Sequence, residues 1–212
     1  MRFLVTAGPT REPIDPVRYL SNRSSGKMGY ALAAAALANG HEVVLISGPV
    51  SLTAPAGAKL LRVETAREMY DAVADEIESV DAAIFCAAVS DYRLAKVAEG
   101  KIKKTEDTLT LTLVKNPDIL GSARSVFGFK GLLVGFAAET SDLERHALDK
   151  LRRKGCDLLV ANDVSRRDIA FDQDENEVVL FFRDGTRETI ARSPKSEIAA
   201  TLVARIENLR KA

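Results

Sequence analysis

The chain has 212 residues, 46% hydrophobic and 28% charged, an ordinary balance for a folded protein with one sizeable core. Lysine plus arginine equals aspartate plus glutamate at 30 each, so no overall field favours nucleic acid or an anionic membrane, and any anion site must come from local placement. Two cysteines without a CxxC exclude a disulfide scaffold and a structural zinc site and fit a reducing compartment; the N-terminal apolar run is too short for a secretory leader, and no run reaches bilayer length.

The first strand candidate is Phe3–Ala7, a short apolar run stopped by Gly8-Pro9. From Thr10 to Leu20 the chain reads as irregular, because prolines at 9, 13 and 16 exclude a regular helix. This detour carries Arg11, Asp15 and Arg18 to the sheet edge. Ser21-Asn22-Arg23-Ser24-Ser25-Gly26-Lys27-Met28-Gly29 follows. Its serines supply hydroxyls, Gly26 and Gly29 allow close backbone approach, and the helix beyond points its free N–H groups and positive dipole end back at the loop. Arg18, Arg23 and Lys27 add charge. The loop reads either as an anion cradle or as a tight strand-to-helix connection with no ligand.

Gly29 to Asn39 is an alanine-rich helix with Gly40 just past its end, suited to lying close against a sheet. Glu42–Ser47 is a buried strand, and Leu60–Val63 a second short one. Thr65 caps a helix over 66–78 with Glu68 at capping-box spacing, and Met69, Val73 and Ile77 form its core face. Asp81–Ala88 is the next buried strand. Strands alternating with helices of this length predict an α/β fold: a doubly wound, mostly parallel, Rossmann-like sheet in one unit over 1–212. Ligands of such sheets bind at the carboxyl ends of the strands. That rule places Gly8, the Ser21–Gly29 loop and the segment after Ala88 on one rim.

Asp91 lies just past Ala88, where a carboxylate serves a ribose, a base edge or a Mg²⁺ shared with phosphates, or simply closes an Asx-turn. Residues 94–114 form a flap. Its lysines at 96, 101, 103 and 104 read either as a cover for a phosphate site or as a solvated hairpin, and Lys101-Ile102-Lys103 alternates like an extended strand. Thr108–Val114 alternates cleanly and predicts a full strand. Asp118 opens a helix to about Val126, and Gly131–Ala137 is a further buried strand. Ser141 or Asp142 caps a helix ending near Lys154, with Lys150 and Lys154 on one face. Asp157–Ala161 is another parallel strand, and 165–176 a charged loop. Glu177–Arg183 and Arg187–Ile190 flank the hairpin signal Asp184-Gly185, and a last helix spans Lys195 to Leu209. The two histidines, His41 and His146, carry no assigned role.

Taken together, VTAGPTREPIDPVRYLSNRSSGKMG, AAVSDYR, KIKK, KNPDIL, VGFAAET and the segment Lys150–Asp163 with Asn176-Glu177-Val178 beyond it resemble phosphopantothenoylcysteine synthetase, in that family's order and over nearly the whole chain. The resemblance is to the form without a fused decarboxylase, and it implies a ligase of coenzyme A biosynthesis in the cytoplasm. Such an enzyme joins 4′-phosphopantothenate to L-cysteine through an acyl-cytidylate, using CTP with Mg²⁺ and releasing CMP and pyrophosphate. Carried over, Asn22 holds the acyl-cytidylate, Arg18 stands near it on the pantothenate carboxylate or phosphate, and Lys101 is the catalytic lysine of the flap. Ser24, Ser25 and Gly26 face the triphosphate. Ala87 and Asp91 contact the nucleotide, with Asp91 also the candidate cation ligand. Pro117, Asp118, Ile119, Leu120, Phe136, Lys150 and Lys154 match the nucleotide pocket. The family also implies a homodimer with shared sites, for which the alternating strand in the flap supplies an intersubunit sheet, and it allows a separate flavin-dependent decarboxylase as partner. Two rivals stand beside this reading. An NAD(P)-dependent oxidoreductase is disfavoured by Gly8-Pro9-Thr10 in place of a GxGxxG turn and by Ser47 where an acidic ribose ligand would sit. A non-catalytic nucleotide-binding subunit would bind CTP without turning it over.

Overall fold

The structure is a computed structural model that describes residues 1–104, 107–139, 142–163 and 173–211. In chain order the strands and helices are β1 (Arg2–Ala7), β2 (Arg11–Pro13), β3 (Tyr19–Ser21), α1 (Lys27–Ala38), β4 (Glu42–Ser47), β5 (Lys59–Arg62) and α2 (Ala66–Glu76). They continue with β6 (Ala82–Phe85), β7 (Tyr92–Leu94), β8 (Leu113–Lys115), α3 (Ile119–Ser125) and β9 (Leu132–Glu139). Last come α4 (Leu143–Lys154), β10 (Leu158–Asp163), β11 (Glu175–Phe182), β12 (Arg187–Pro194) and α5 (Lys195–Lys211). The Ser141 cap and the 165–172 part of the expected loop lie outside the described residues.

Eight strands make the main sheet in the order β12-β11-β10-β9-β6-β1-β4-β5, parallel from β10 to β5. Strands β11 and β12 join antiparallel through the predicted Asp184-Gly185 turn, where Gly185 takes a φ of 90°. The doubly wound fold is as the sequence predicts. The inner parallel strands are apolar on both faces because helices cover both. On one side α1 and α5 pack Leu32, Ala33, Ile198, Leu202 and Ile206 against Phe3, Val5, Leu45, Ile84 and Val160. On the other, α2, α3 and α4 pack Met69, Val73, Ala123, Ala147 and Leu151 against Leu4, Val44, Ile46, Leu133 and Leu159. Alternate residues of one strand thus serve two cores. The small residues of α1 let it sit close: a Cβ added at Gly29 would lie 2.5 Å from the Cβ of Ala7.

Several local expectations need correction. The 10–20 detour is not wholly irregular, since β2 and β3 pair antiparallel from Arg11↔Ser21 to Pro13↔Tyr19. Proline is tolerated in this two-stranded ribbon because a short edge leaves positions that need no N–H. Helix α1 starts two residues earlier than Gly29, because Gly26 turns the chain with φ 78°. Thr65 caps α2 as expected, accepting from the Glu68 amide at 3.1 Å, but the Glu68 carboxylate reaches back to the amide of Glu64. Asp142 precedes α4 without a cap bond and pairs with Arg145 at 2.8 Å. The strand expected over Thr108–Val114 is confined to Leu113–Lys115, because β7 offers it only three partners. The residues 101–104 are likewise not a strand.

Candidate functional site

The chain leaves β1 toward α1 and β4 on one side, while β6 lies on the other, so the winding reverses at β1 and β6 and opens a crevice at their carboxyl ends. A short parallel bridge, Pro9↔Ala88, extends the pair past the sheet, with the Ala88 amide donating to Gly8 O at 2.9 Å. The Ser21–Gly29 loop closes over this bridge. Asn22 donates from Nδ2 to Ala88 O at 2.9 Å, and Ser21 from Oγ to Thr10 O at 2.8 Å. Gly26 is pressed onto Gly8: its missing Cβ would stand 3.4 Å from the Gly8 Cα and 2.9 Å from Val50 Cγ1. A side chain there would open the loop, so glycine serves both the φ and the close approach. The N-terminus of α1 faces the space above.

Two cavities flank Ala87 and Asp91. One, of about 550 Å³, is lined by Ala87, Asp91, Asn116, Pro117, Asp118, Ile119, Leu120, Phe136, Lys150 and Lys154 among others. The other, of about 390 Å³, is lined by Asn22, Ser24, Ser25, Gly26, Lys27, Cys86, Asn162, Asn176 and Lys195 among others. Both share Ala87, Val89, Asp91, Phe136 and Lys150, so they form one trough. Its walls carry Lys27, Lys115, Lys150, Arg153, Lys154 and Lys195 against the carboxylates of Asp91 and Asp118. A chain of zero formal charge has therefore gathered cations at one place, which suits an anionic ligand.

Internal bonds hold several of these groups. Lys150 donates to Phe136 O at 2.8 Å. Asp118 caps α3 through the Gly121 amide at 2.9 Å and also pairs with Lys154. Burial pushes the Asp118 carboxyl up, but the Lys154 hydrogen bond and the Gly121 amide outweigh it and hold it below its ordinary value. Asn116 donates to Ser90 O at 2.8 Å and accepts from Arg93 at 3.2 Å, fixing the strand exit. Burial pushes the Cys86 thiol up to about 12 despite the nearby Lys195, so it stays protonated and is no nucleophile at neutral pH.

Of the site residues carried over from the resemblance, all but two line the trough, while Arg23, expected to charge the cradle, lines neither cavity. Arg18 lies outside both cavities, on Asp15 and on Ile102 O at 3.0 Å. Lys101 is exposed beside Ile102 and lines neither cavity. Lys27, expected to charge the cradle, is paired with Asp174 at 2.7 Å. Among the residues missed are Lys115, Asn116, Arg153, Cys86, Asn162, Asn176 and above all Lys195, which is buried and donates from Nζ to Gln173 O at 2.5 Å. Two successive reversals at β11 and β12 bring the chain back to the carboxyl rim, so α5 starts beside α1. Counting strand directions past the Asp184-Gly185 turn would have placed Lys195 there. Among the described residues no group of three or more His, Cys, Asp or Glu converges on a metal position, and no helix is long and apolar enough to cross a membrane.

Comparison with known proteins agrees with this fold. The family model for the DNA/pantothenate metabolism flavoprotein C-terminal domain matches residues 1–209. The coenzyme A biosynthesis bifunctional protein CoaBC of Vibrio vulnificus strain YJ016 is 48% identical over 209 residues, 98% of this chain and 52% of that protein. The protein of that name from Escherichia coli strain K12 is 50% identical over 190 residues, 88% of this chain and 47% of its own. The chain thus spans about half the length of these relatives. A crystal structure of the C-terminal domain of a coenzyme A biosynthesis bifunctional protein CoaBC superposes with a TM-score of 0.85 at 39% identity, covering 99% of this chain and 95% of that one.

Proposed function

The chain belongs to the DNA/pantothenate metabolism flavoprotein C-terminal domain family, and from that premise we propose that it is a phosphopantothenate–cysteine ligase of coenzyme A biosynthesis working in the cytoplasm with CTP. The carboxylate of 4′-phosphopantothenate attacks the α-phosphorus of CTP; an acyl–O–P bond forms, the bond to the bridging oxygen breaks, and pyrophosphate leaves. The amine of L-cysteine then attacks the acyl carbon; the amide bond forms, the acyl–oxygen bond breaks, CMP leaves, and the amine loses a proton. Neither step needs a protein nucleophile, since the substrate carboxylate is one. Both need anions neutralised and reactants aligned.

The observation that carries the reading is the single cationic trough, with the Ser24–Gly26 cradle at one end and Pro117–Leu120 at the other. The triphosphate lies on Ser24, Ser25, Gly26 and the start of α1. The nucleoside lies between Ala87, Pro117–Leu120 and Phe136, with Lys150 and Lys154 above it. Asn22, whose Nδ2 is committed to Ala88 O, turns its carbonyl oxygen to the incoming amine. Lys101 neutralises charge growing at the α-phosphate. The residues present fit Mg²⁺ in one way: exposed Asp91 gives a single carboxylate on the shared wall, enough for an ion that keeps waters and phosphate oxygens as most of its ligands. Bound there with the triphosphate, the ion supplies further charge neutralisation.

We also propose a homodimer in which the flap of one copy completes the site of the other. Among the described residues, seven of the eight large exposed hydrophobics, Val17, Tyr19, Tyr92, Val97, Leu109, Leu113 and Val114, lie on the two ribbons and the flap. The test is release of CMP and pyrophosphate from CTP with 4′-phosphopantothenate, with and without cysteine, and with ATP in place of CTP. Cysteine-dependent CMP release supports the ligase. CTP binding without release leaves the non-catalytic module, and stabilisation by NADPH alone leaves the oxidoreductase.

A further inference from the structure

The buried carboxylate of Asp15 is the best-connected polar group outside the trough. Its two oxygens serve different parts of the chain. Oδ1 accepts from the amides of Val17 and Arg18, both at 2.9 Å, and so ties the turn between β2 and β3. Oδ2 accepts from Arg18 Nε at 3.0 Å and Nη2 at 2.5 Å, and from the amide of Ile102 at 3.1 Å, 87 residues on. Arg18 Nη2 then donates to Ile102 O at 3.0 Å. Both polar groups of Ile102 are thereby held by one ion pair, and the Ala98 amide donates to Ile14 O at 3.0 Å close by. Asp15 has 0% of its side chain exposed and Arg18 43%, so the pair is anchored on the inside and open on the outside. The Arg18 guanidinium holds the Asp15 carboxyl well below the usual carboxylate range, so the clamp stays charged through neutral pH.

Ile102 follows Lys101 directly, and its amide belongs to the peptide between them. Fixing that peptide fixes where the Lys101 side chain leaves the backbone. We propose that Asp15 is a positioning residue for the candidate reaction: with Arg18 it clamps the Ile102 peptide and so presents Lys101. The proposal rests on the reading of Lys101 given above. It also gives Arg18 a place: it acts on the flap from beside the cradle, on the same ribbon that leads to Asn22.

Asp15→Asn separates the two oxygens. The amide oxygen can keep the two turn amides, while its NH₂ then meets the guanidinium and the Ile102 amide, donor against donor. The turn is retained and the flap is released. Three single variants (Asp15→Asn, Arg18→Gln, Lys101→Gln) and the doubles of the first two with Lys101→Gln are assayed for cysteine-dependent CMP release, with hydrogen exchange read at the Ile102 amide. Asp15→Asn should lower kcat by about 10-fold to 10²-fold, the scale of a misplaced catalytic group, with the KM for CTP little changed and Ile102 exchange accelerated. Its double with Lys101→Gln should be no slower than Lys101→Gln alone, because both remove the same action. If Asp15→Asn fails to fold by circular dichroism, Arg18→Gln, which leaves Asp15 on its turn, carries the same comparison. Full additivity with Lys101→Gln overturns the proposal and leaves Asp15 a structural residue. So does wild-type kcat in a variant whose Ile102 exchange has accelerated. A fully active Lys101→Gln overturns the reading of Lys101 and this proposal with it, an outcome distinct from either.

Discussion

The rim of the sheet and the flap sit within one chain and are built by opposite means. At the rim, positions are set by packing: Gly8 lies against Gly26, Gly29 against Ala7, and two apolar cores hold the strands that end there. In the flap, positions are set by the short β7–β8 pairing and a few polar bonds to the 14–18 turn, and Val97, Leu109, Leu113 and Val114 are exposed although Leu94 is buried. A packed rim suits groups that must be in place before a ligand arrives. A flap tied by an ion pair and a few backbone bonds suits a charge that moves in with the ligand and a surface completed by another chain.

If this division of labour is right, substitutions in the two regions should fail differently. The largest effect belongs to Asn22→Asp at the rim. An added negative charge beside the phosphoryl oxygens should leave pyrophosphate formation partly intact and stop amide formation, with the acyl-cytidylate detected by mass spectrometry. A normal product yield would remove Asn22 from the site. Ile84→Ala, under the rim, should cost about 2–5 kcal/mol in urea denaturation, because the fully buried side chain sits in the packed core under α1 and α5, which leaves little room to collapse. Lys101→Gln should leave the urea midpoint unmoved yet lower kcat by about 10²-fold, with the KM for CTP moving much less. Lys103→Gln and Lys104→Gln should be mild; equal effects from all three would return the flap to a solvated hairpin. Leu113→Asp should change folding stability least, within about 0.5 kcal/mol as expected of an exposed site, while light scattering shows a dimer become a monomer. An unchanged dimer would place the interface elsewhere.

The rim was legible in the sequence because local signals and topology agree there. Apolar runs marked β1, β4, β6, β9 and β10, and the rule for parallel sheets then placed Gly8, the loop with Asn22 and the segment with Asp91 on one rim, while Ala87 and Phe136 were named only through the resemblance. Lys195 was not legible locally: it belongs to a helix start on a distant rim position, reached only by following two chain reversals. Arg18 and Lys27 were legible as charges but not in their distant contacts, since Ile102 is 84 residues from Arg18 and Asp174 is 147 residues from Lys27. Thr108–Val114 misled for a different reason. Alternation marks a strand with one covered face, and this chain pairs only Leu113 and Val114 of it in a ladder. The dimer proposed above would supply the missing partner.

That last strand contrasts with the borders of the main sheet. Strand β5 is four residues long and begins and ends with Lys59 and Arg62, while β12 carries Arg187, Glu188 and Arg192 and finishes in Pro194. Short length, charge and proline all discourage a stray strand from adding on. The run through Leu109, Leu111 and Leu113 carries none of these guards. Sticky backbone is thus concentrated at one site, so that at high concentration, during expression or after partial heating, off-target assembly should begin at the flap and leave the sheet borders clean.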